Sequence, residues 1–283
     1  MSAKIKSLAI IGKGKVGLSL AQLAKTQGYQ TKVIGRDVAQ QKKACKGSDL
    51  IIISVNDDAI KEVAKTLSPN INKSAIVTHC SGALSSDELS DIKQAAIASC
   101  HPLNTFPSLE SSLKTFSDTN HGSYLFAEGT STALTALKDF YSSLGFKFRT
   151  LDKQAKIHYH LACSIACNYL SVLMHSSLNI AEAAGLKRDE FRTALLPLVR
   201  KTLDNVEEFG SLGSLSGPIA RGDIDTVSKH QEALSKANSN IQALYTELGK
   251  IAADMAREKG QLGIQEHETF INTLVDCSTA KTK

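Results

Sequence analysis

Three glycines, Gly12, Gly14 and Gly17, stand at G-x-G-x-x-G spacing in Ile10-Ile11-Gly12-Lys13-Gly14-Lys15-Val16-Gly17, between an apolar run and an amphipathic one. This constrains the fold more than any other feature of the chain. Such a loop fits the turn from a buried strand into a helix. The first glycine permits the tight turn, the second lets the backbone approach a pyrophosphate, and the third lets helix and strand pack closely. The helix N-terminus then offers amide donors to an anion. The bland alternative is a glycine-rich turn with no ligand. The flanking strand and helix favour a dinucleotide site formed by Gly12, Lys13, Gly14, Lys15, Val16 and Gly17.

The pattern around this loop continues as a parallel sheet would. Leu8 to Ile11, Thr31 to Ile34, Asp49 to Val55, Ser74 to Thr78, Ala95 to Cys100 and Gly122 to Ala127 are short apolar runs, with amphipathic stretches at Val16 to Gln27 and Asp58 to Leu67. Runs without alternation imply strands covered on both faces. Beyond Asp152 the periodicity is helical to Asp276, interrupted near Gly185 and between Gly210 and Asp223. Pro197 is expected to start or kink a helix. The expected architecture is an α/β Rossmann domain (doubly wound, mostly parallel) over residues 1–150. An all-α domain for substrate and dimerisation follows over 151–283.

With 283 residues, a net charge of +5 and scattered Lys and Arg, the chain lacks the basic stripe of a nucleic-acid surface. A mild positive excess suits an anionic cofactor and a small acidic substrate. Six cysteines at 45, 80, 100, 163, 167 and 277 form no CxxC or regular framework, consistent with reduced thiols. The early first strand leaves no room for a signal peptide. The most apolar stretch, Leu161 to Met174, is interrupted by polar residues and too short to span a bilayer. A soluble cytoplasmic protein without membrane partner is expected.

The residue after the second strand selects the dinucleotide. Here Gly35-Arg36-Asp37 offers a guanidinium, suited to the 2′-phosphate of NADP(H). Asp37 either tempers that preference or caps the next helix. Val55 and Asn56 end the strongest strand and join the cofactor candidates, with Asp57 or Asp58 as a helix cap. Ser81 and Gly82 follow the next strand, where Gly82 would let backbone approach the nicotinamide. His101 sits in His101-Pro102-Leu103-Asn104-Thr105-Phe106-Pro107, a loop stiffened by its prolines, structural or catalytic. His79, Cys80, Cys100 and His101 lack zinc-ligand spacing, so no metal is expected. Lys156, His160, Ser164 and Asn168 recur every four residues among Ile157, Leu161, Ile165 and Leu170. They form a polar stripe that either lines a site or builds a structural network. Arg221, in Ser216-Gly217-Pro218-Ile219-Ala220-Arg221-Gly222-Asp223, either grips a substrate carboxylate or ties helices together, with Asp223 as an N-cap.

The segments IIGKGKVG, VIGRD, THCSGALSSDEL, HPLNTFP, YHLACSIACNYL and SGPIARGD together resemble a bacterial family of Rossmann-like proteins whose C-terminal half is a domain of unknown function. The resemblance spans nearly the whole chain. It extends more distantly to the 6-phosphogluconate dehydrogenase-like enzymes, among them pyrroline-5-carboxylate, prephenate and ketopantoate enzymes. Some members look like an alternative ketopantoate reductase of pantothenate synthesis, which implies NADPH-dependent reduction of a branched 2-keto acid. The relatives' Lys-Asn pair, four residues apart, is absent, because His160 stands where the Asn would be. His160 or Lys156 is then the proton donor, with His160 ranked first because imidazole titrates near neutrality by nature. His101 follows, and Ser81, Gly82, Asn168 and Arg221 would hold the substrate. Another dehydrogenase or imine reductase, or a redox sensor that binds NADP without turnover, are the alternatives. A homodimer is expected.

Overall fold

A computed structural model describes residues 5–116, 121–235 and 237–279, with side chains to 275; Cys277 lies outside the described side chains. The chain divides into two compact units, Met1–Cys167 and Asn168–Lys283.

The first unit carries a seven-stranded sheet: β1 (Ser7–Ile11), β2 (Gln30–Ile34), β3 (Leu50–Ile53), β4 (Ile76–His79), β5 (Ala96–Pro102), β6 (Tyr124–Gly129) and β7 (Lys147–Thr150). Their order is β2-β1-β3-β4-β5-β6-β7, parallel except that β6 runs against β5. Five α-helices connect them: α1 (Lys15–Thr26), α2 (Val38–Cys45), α3 (Ile60–Leu67), α4 (Leu109–Thr115) and α5 (Ser131–Ser143). Leu8 and Ile10 join one core with Leu20, Leu137 and Tyr141, while Ala9 and Ile11 join another with Ile60, Leu67 and Val77. Two cores, one per face, explain why β1 and β3 read as unbroken apolar runs: all four residues of β3 are buried. Each such Ile or Leu contributes about 1.5–3 kcal/mol of burial.

The sheet order reverses between β1 and β3, which opens a crevice beyond their carboxyl ends. Strand β5 is longer than its sequence suggests. His101 and Pro102 pair with Phe126 and Leu125 of β6, so antiparallel pairing, and not the prolines of a loop, holds His101.

The first unit also takes in the helix α6 (Lys156–Cys163), so the division falls later than the expected 150/151. Lys156 is buried there. The turn that follows, Ser164–Asn168, is π-helical. A π turn inserts an extra residue, so Asn168 rotates off the row that Lys156 and His160 begin. The expected four-residue stripe therefore ends at this turn.

The second unit is helical: α7 (Tyr169–Ala183), α8 (Arg188–Ser214), α9 (Ile224–Leu234), α10 (Ser239–Glu258) and α11 (Ile264–Thr279). Val227, Ala253, Ala256, Phe270 and Leu274 form its core. Helix α8 runs through Pro197; its non-helical residue is Gly210, at φ 72°. None of its residues is buried. Asp223 caps α9 by accepting from Thr226 N at 3.0 Å. The helical stretch Lys153–Ala183 contains an 18-residue window of mean hydropathy 1.3, 6% of it buried, which is long and apolar enough to cross a membrane by length and composition only. Leu161 to Met174, read from the sequence as too short to span a bilayer, lies within this longer helical stretch.

Candidate active site

The three glycines do three different things. Gly12 sits at φ 118°, and a Cβ there would collide with the carbonyl of Ser54. At Gly17 a Cβ would lie 3.0 Å from Gly12 O and 3.2 Å from Ile10 Cγ2, so close packing of α1 on β1 excludes it. Gly14 differs: the nearest atom to a Cβ is 3.9 Å away. Packing within the chain leaves room for a side chain at Gly14, and the bare backbone keeps the loop open to a ligand. Gly14 is also the N-cap of α1, without a side-chain cap and with no acidic residue in the first turn. The first amides of the helix are therefore available to an anion.

This loop borders a cavity of about 910 Å³. Gly12, Lys13, Gly14, Arg36, Val55 and Asn56, all expected, line it, as do Ser54, Gln41, Glu62 and Thr66, which the sequence did not single out. Lys15, Val16 and Gly17 do not line it. Lys15 Nζ instead donates to the Pro107 carbonyl at 2.5 Å. The role of Asp37 is fixed by its bonds. Its carboxylate accepts from Gln40 N at 3.0 Å and from Gln40 Nε2 at 2.8 Å as the N-cap of α2. Arg36 is exposed on the cavity wall. Lys13 lays its stem 3.5 Å from where Gly35 would carry a Cβ. The two cations thus border the turn after β2, and the neighbouring carboxylate is engaged elsewhere.

A second group of polar residues gathers where β4, β5 and α6 meet. Lys156 is 1% exposed, and its Nζ has no hydrogen-bond partner among the described residues. Burial pulls its pKa below the ordinary value, opposed by the negative charge of Glu128 and Asp57. Glu128, on β6, is itself buried and accepts from Ser86 N at 2.6 Å and Ser86 Oγ at 2.8 Å. Burial pushes the Cys80 thiol up to about 12 and Cys100 well above its ordinary value, so neither is a thiolate at neutral pH. An ammonium taken out of water must find an acceptor or release its proton. The hydrogen-bonding capacity of Lys156 Nζ is unused among the described residues.

Two imidazoles converge on Gly82. A Cβ at Gly82 would collide with His160 Cδ2 and lie 3.0 Å from His101 Nε2. The two rings stand 6.0 Å apart at 78°. His101 Nδ1 is 2.8 Å from Tyr159 Oη. Burial, helped by the Lys156 charge, holds His101 at about 4, so it is neutral at physiological pH. His79 is held at about 4 as well, chiefly by burial. Its Nδ1 accepts from Ser81 N at 3.2 Å and its Nε2 donates to Ser85 O at 3.0 Å, bracing the loop after β4.

Two sequence readings change here. Neither Asp57 nor Asp58 is an N-cap: Asn56 holds that position, and Asp57 Oδ2 accepts from Ser81 Oγ at 2.8 Å. Ser81 Oγ also accepts from Leu84 N at 3.0 Å and Ala83 N at 3.2 Å. With its proton given away and its lone pairs used, Ser81 shapes the loop and has no hydroxyl left to orient a substrate. Asn168 and Arg221 lie in the second unit, both exposed. Tyr159 and Glu128 were missed. Tyr159 is three residues after Lys156, a spacing that shares a helix face as well as four does. Nothing in the sequence pairs Glu128 with Ser86, 42 residues earlier. Among the described residues no three His, Cys, Asp or Glu side chains are grouped to hold a metal.

Comparison with known proteins agrees with the architecture. A protein from Thermotoga maritima matches with a TM-score of 0.67 at 25% identity, over 89% of this chain and 99% of its own. A protein of Bacteroides fragilis, provisionally assigned as an NADP oxidoreductase, gives 0.71 at 20%, over 89% and 98%. The pyrroline carboxylate reductase of Plasmodium falciparum, solved with NADP bound, gives 0.55 at 14%, over 95% and 98%. No curated protein matches the chain. The fold is that of Rossmann-type oxidoreductases with a helical C-terminal region. Residues 123–252 match the family model of a domain of unknown function, DUF2520.

Proposed function

We propose that this chain is an NADPH-dependent reductase of a small 2-keto acid, with ketopantoate as the particular substrate. One observation carries the reading: a buried lysine, Lys156, whose ammonium has no acceptor among the described residues. The cofactor fits the residues present. The bare Gly14 and the uncapped start of α1 would take the pyrophosphate, and Arg36 with Lys13 the 2′-phosphate. The bound nicotinamide would supply hydride to the substrate carbon. Lys156 would donate to the carbonyl oxygen and protonate the alkoxide that develops there. Its burial makes that donor stronger and reverses the order in which the sequence ranks His160 and Lys156. His160, one helical turn on, would close the other side of the slot at Gly82.

Lys156 also separates this reading from reduction of a C=N bond, the imine-reductase alternative that the sequence leaves open. A protonated imine is itself a cation and a donor, and a buried ammonium repels it; a ketone oxygen accepts. The test is NADPH oxidation with a panel of 2-keto acids beside cyclic imines. Turnover of keto acids supports the proposal. Turnover of imines alone, or NADPH binding without turnover, contradicts it, and the latter is the behaviour of a sensor.

We also propose a homodimer. Ile157, Leu161, Ile165, Tyr169 and Val172 are 48–55% exposed, and Leu198, Leu203 and Phe209 on α8 are 53–64% exposed. Apolar exposure on this scale fits a subunit interface.

A further inference from the structure

The slot at Gly82 is bordered by an imidazole whose proton position is controlled from behind. His101 sits on β5, and Phe126 is its direct partner on β6. The ring of Tyr159 packs on Phe126 at 4.8 Å between centroids and stands edge-on to His101 at 5.7 Å. That packing fixes the phenol, and its Oη lies 2.8 Å from His101 Nδ1. One of the two groups must donate. Burial raises the Tyr159 phenol above its ordinary value, so it keeps its proton at any physiological pH. The phenol is also paired with the Cys163 sulfur, a far weaker acceptor than an imidazole nitrogen. The phenol proton is therefore best given to Nδ1. A neutral imidazole that accepts at Nδ1 carries its hydrogen on Nε2. Nε2 is the atom that faces the empty place at Gly82, 3.0 Å from where a Cβ would be.

We propose that Tyr159 is a positioning residue that locks His101 in its Nε2–H form, so that His101 presents a neutral N–H donor across Gly82 to the substrate. This deepens the reductase reading and rests on it for the identity of the ligand, an oxygen of the keto acid. The donor complements Lys156. Lys156 brings charge and an exchangeable proton, whereas His101 at about 4 stays uncharged and adds direction without repelling the lysine. A hydrogen bond of this kind is worth about tenfold in binding or rate.

The test uses the full chain labelled with ¹⁵N-histidine, with His101 assigned through the signals lost in His101→Gln. Long-range ¹H–¹⁵N correlations distinguish a bare Nδ1 from a protonated one. In wild type His101 should show the Nε2–H pattern between pH 6 and 8. In Tyr159→Phe, which keeps the packing on Phe126, that pattern should give way to a mixture of tautomers. The KM for the keto acid should rise about tenfold while the NADPH Kd stays unchanged. A Nδ1–H tautomer in wild type, an unchanged pattern in Tyr159→Phe, or a changed pattern with unchanged KM each overturns the proposal. Because the tautomer is read without turnover, its failure is separable from failure of the reductase reading, which shows as no keto-acid turnover by wild type.

Discussion

Single residues carry the proposed cofactor preference and chemistry, and each can be tested alone. Arg36→Ala should weaken NADPH binding by about ten- to a hundredfold, the worth of a charge-assisted contact, and leave NADH binding nearly unchanged. Equal losses for both cofactors, read by fluorescence titration, would remove the 2′-phosphate role. Asp37 should not interfere, since capping α2 already uses its carboxylate. The glycine loop and the place of Arg36 on the cavity wall were legible in the sequence because both follow from local turns after β1 and β2. The Lys156 site was only half legible. Helical spacing put Lys156 and His160 on one face, but the groups around them come from β4, β5 and β6. That tertiary context leaves Lys156 Nζ without a partner among the described residues and Ser81 fully bonded.

At the scale of elements, α6 is turned opposite to what its composition suggests. Its polar residue Lys156 is buried, whereas Ile157 and Leu161 are 55% and 53% exposed. The pattern alone gave the right periodicity, but the period does not say which face is inward. The π turn at Ser164–Asn168 was invisible for the same reason: it changes backbone winding without changing residue type. The loops after β4 and β5 carry a pH signature. His79 and His101 are both held at about 4, below the ordinary 6.5. The unfolded chain takes up these two protons near pH 6.5, and the folded chain refuses them until about 4. Their contribution to stability is thus fully present above 6.5 and lost as pH falls through that window, up to about 3 kcal/mol for each histidine. Denaturant unfolding at pH 7, 5.5 and 4 should show the fall, and His101→Gln should make it shallower. A profile in His101→Gln as steep as in wild type would contradict the account. Gly82→Ala tests the slot from the other side. The added methyl must displace His160 or His101, and turnover should fall about tenfold or more with little loss of NADPH affinity.

At the scale of the whole molecule, the exposed apolar residues of α6, α7 and α8 predict self-association. Light scattering at micromolar concentration should give twice the mass of 30.4 kDa. Leu203→Glu together with Phe209→Glu should shift the molecule toward monomer, and a wild-type monomer would contradict the dimer. Turnover bears most directly on the proposed service of Lys156 to a carbonyl oxygen. The decisive measurement is steady-state NADPH oxidation with ketopantoate and other 2-keto acids, comparing wild type with Lys156→Met and His160→Gln. The account predicts keto-acid turnover in wild type. It predicts a loss of about a hundredfold or more in kcat for Lys156→Met, a smaller loss for His160→Gln, and unchanged NADPH affinity in both. Near wild-type turnover in Lys156→Met would contradict it.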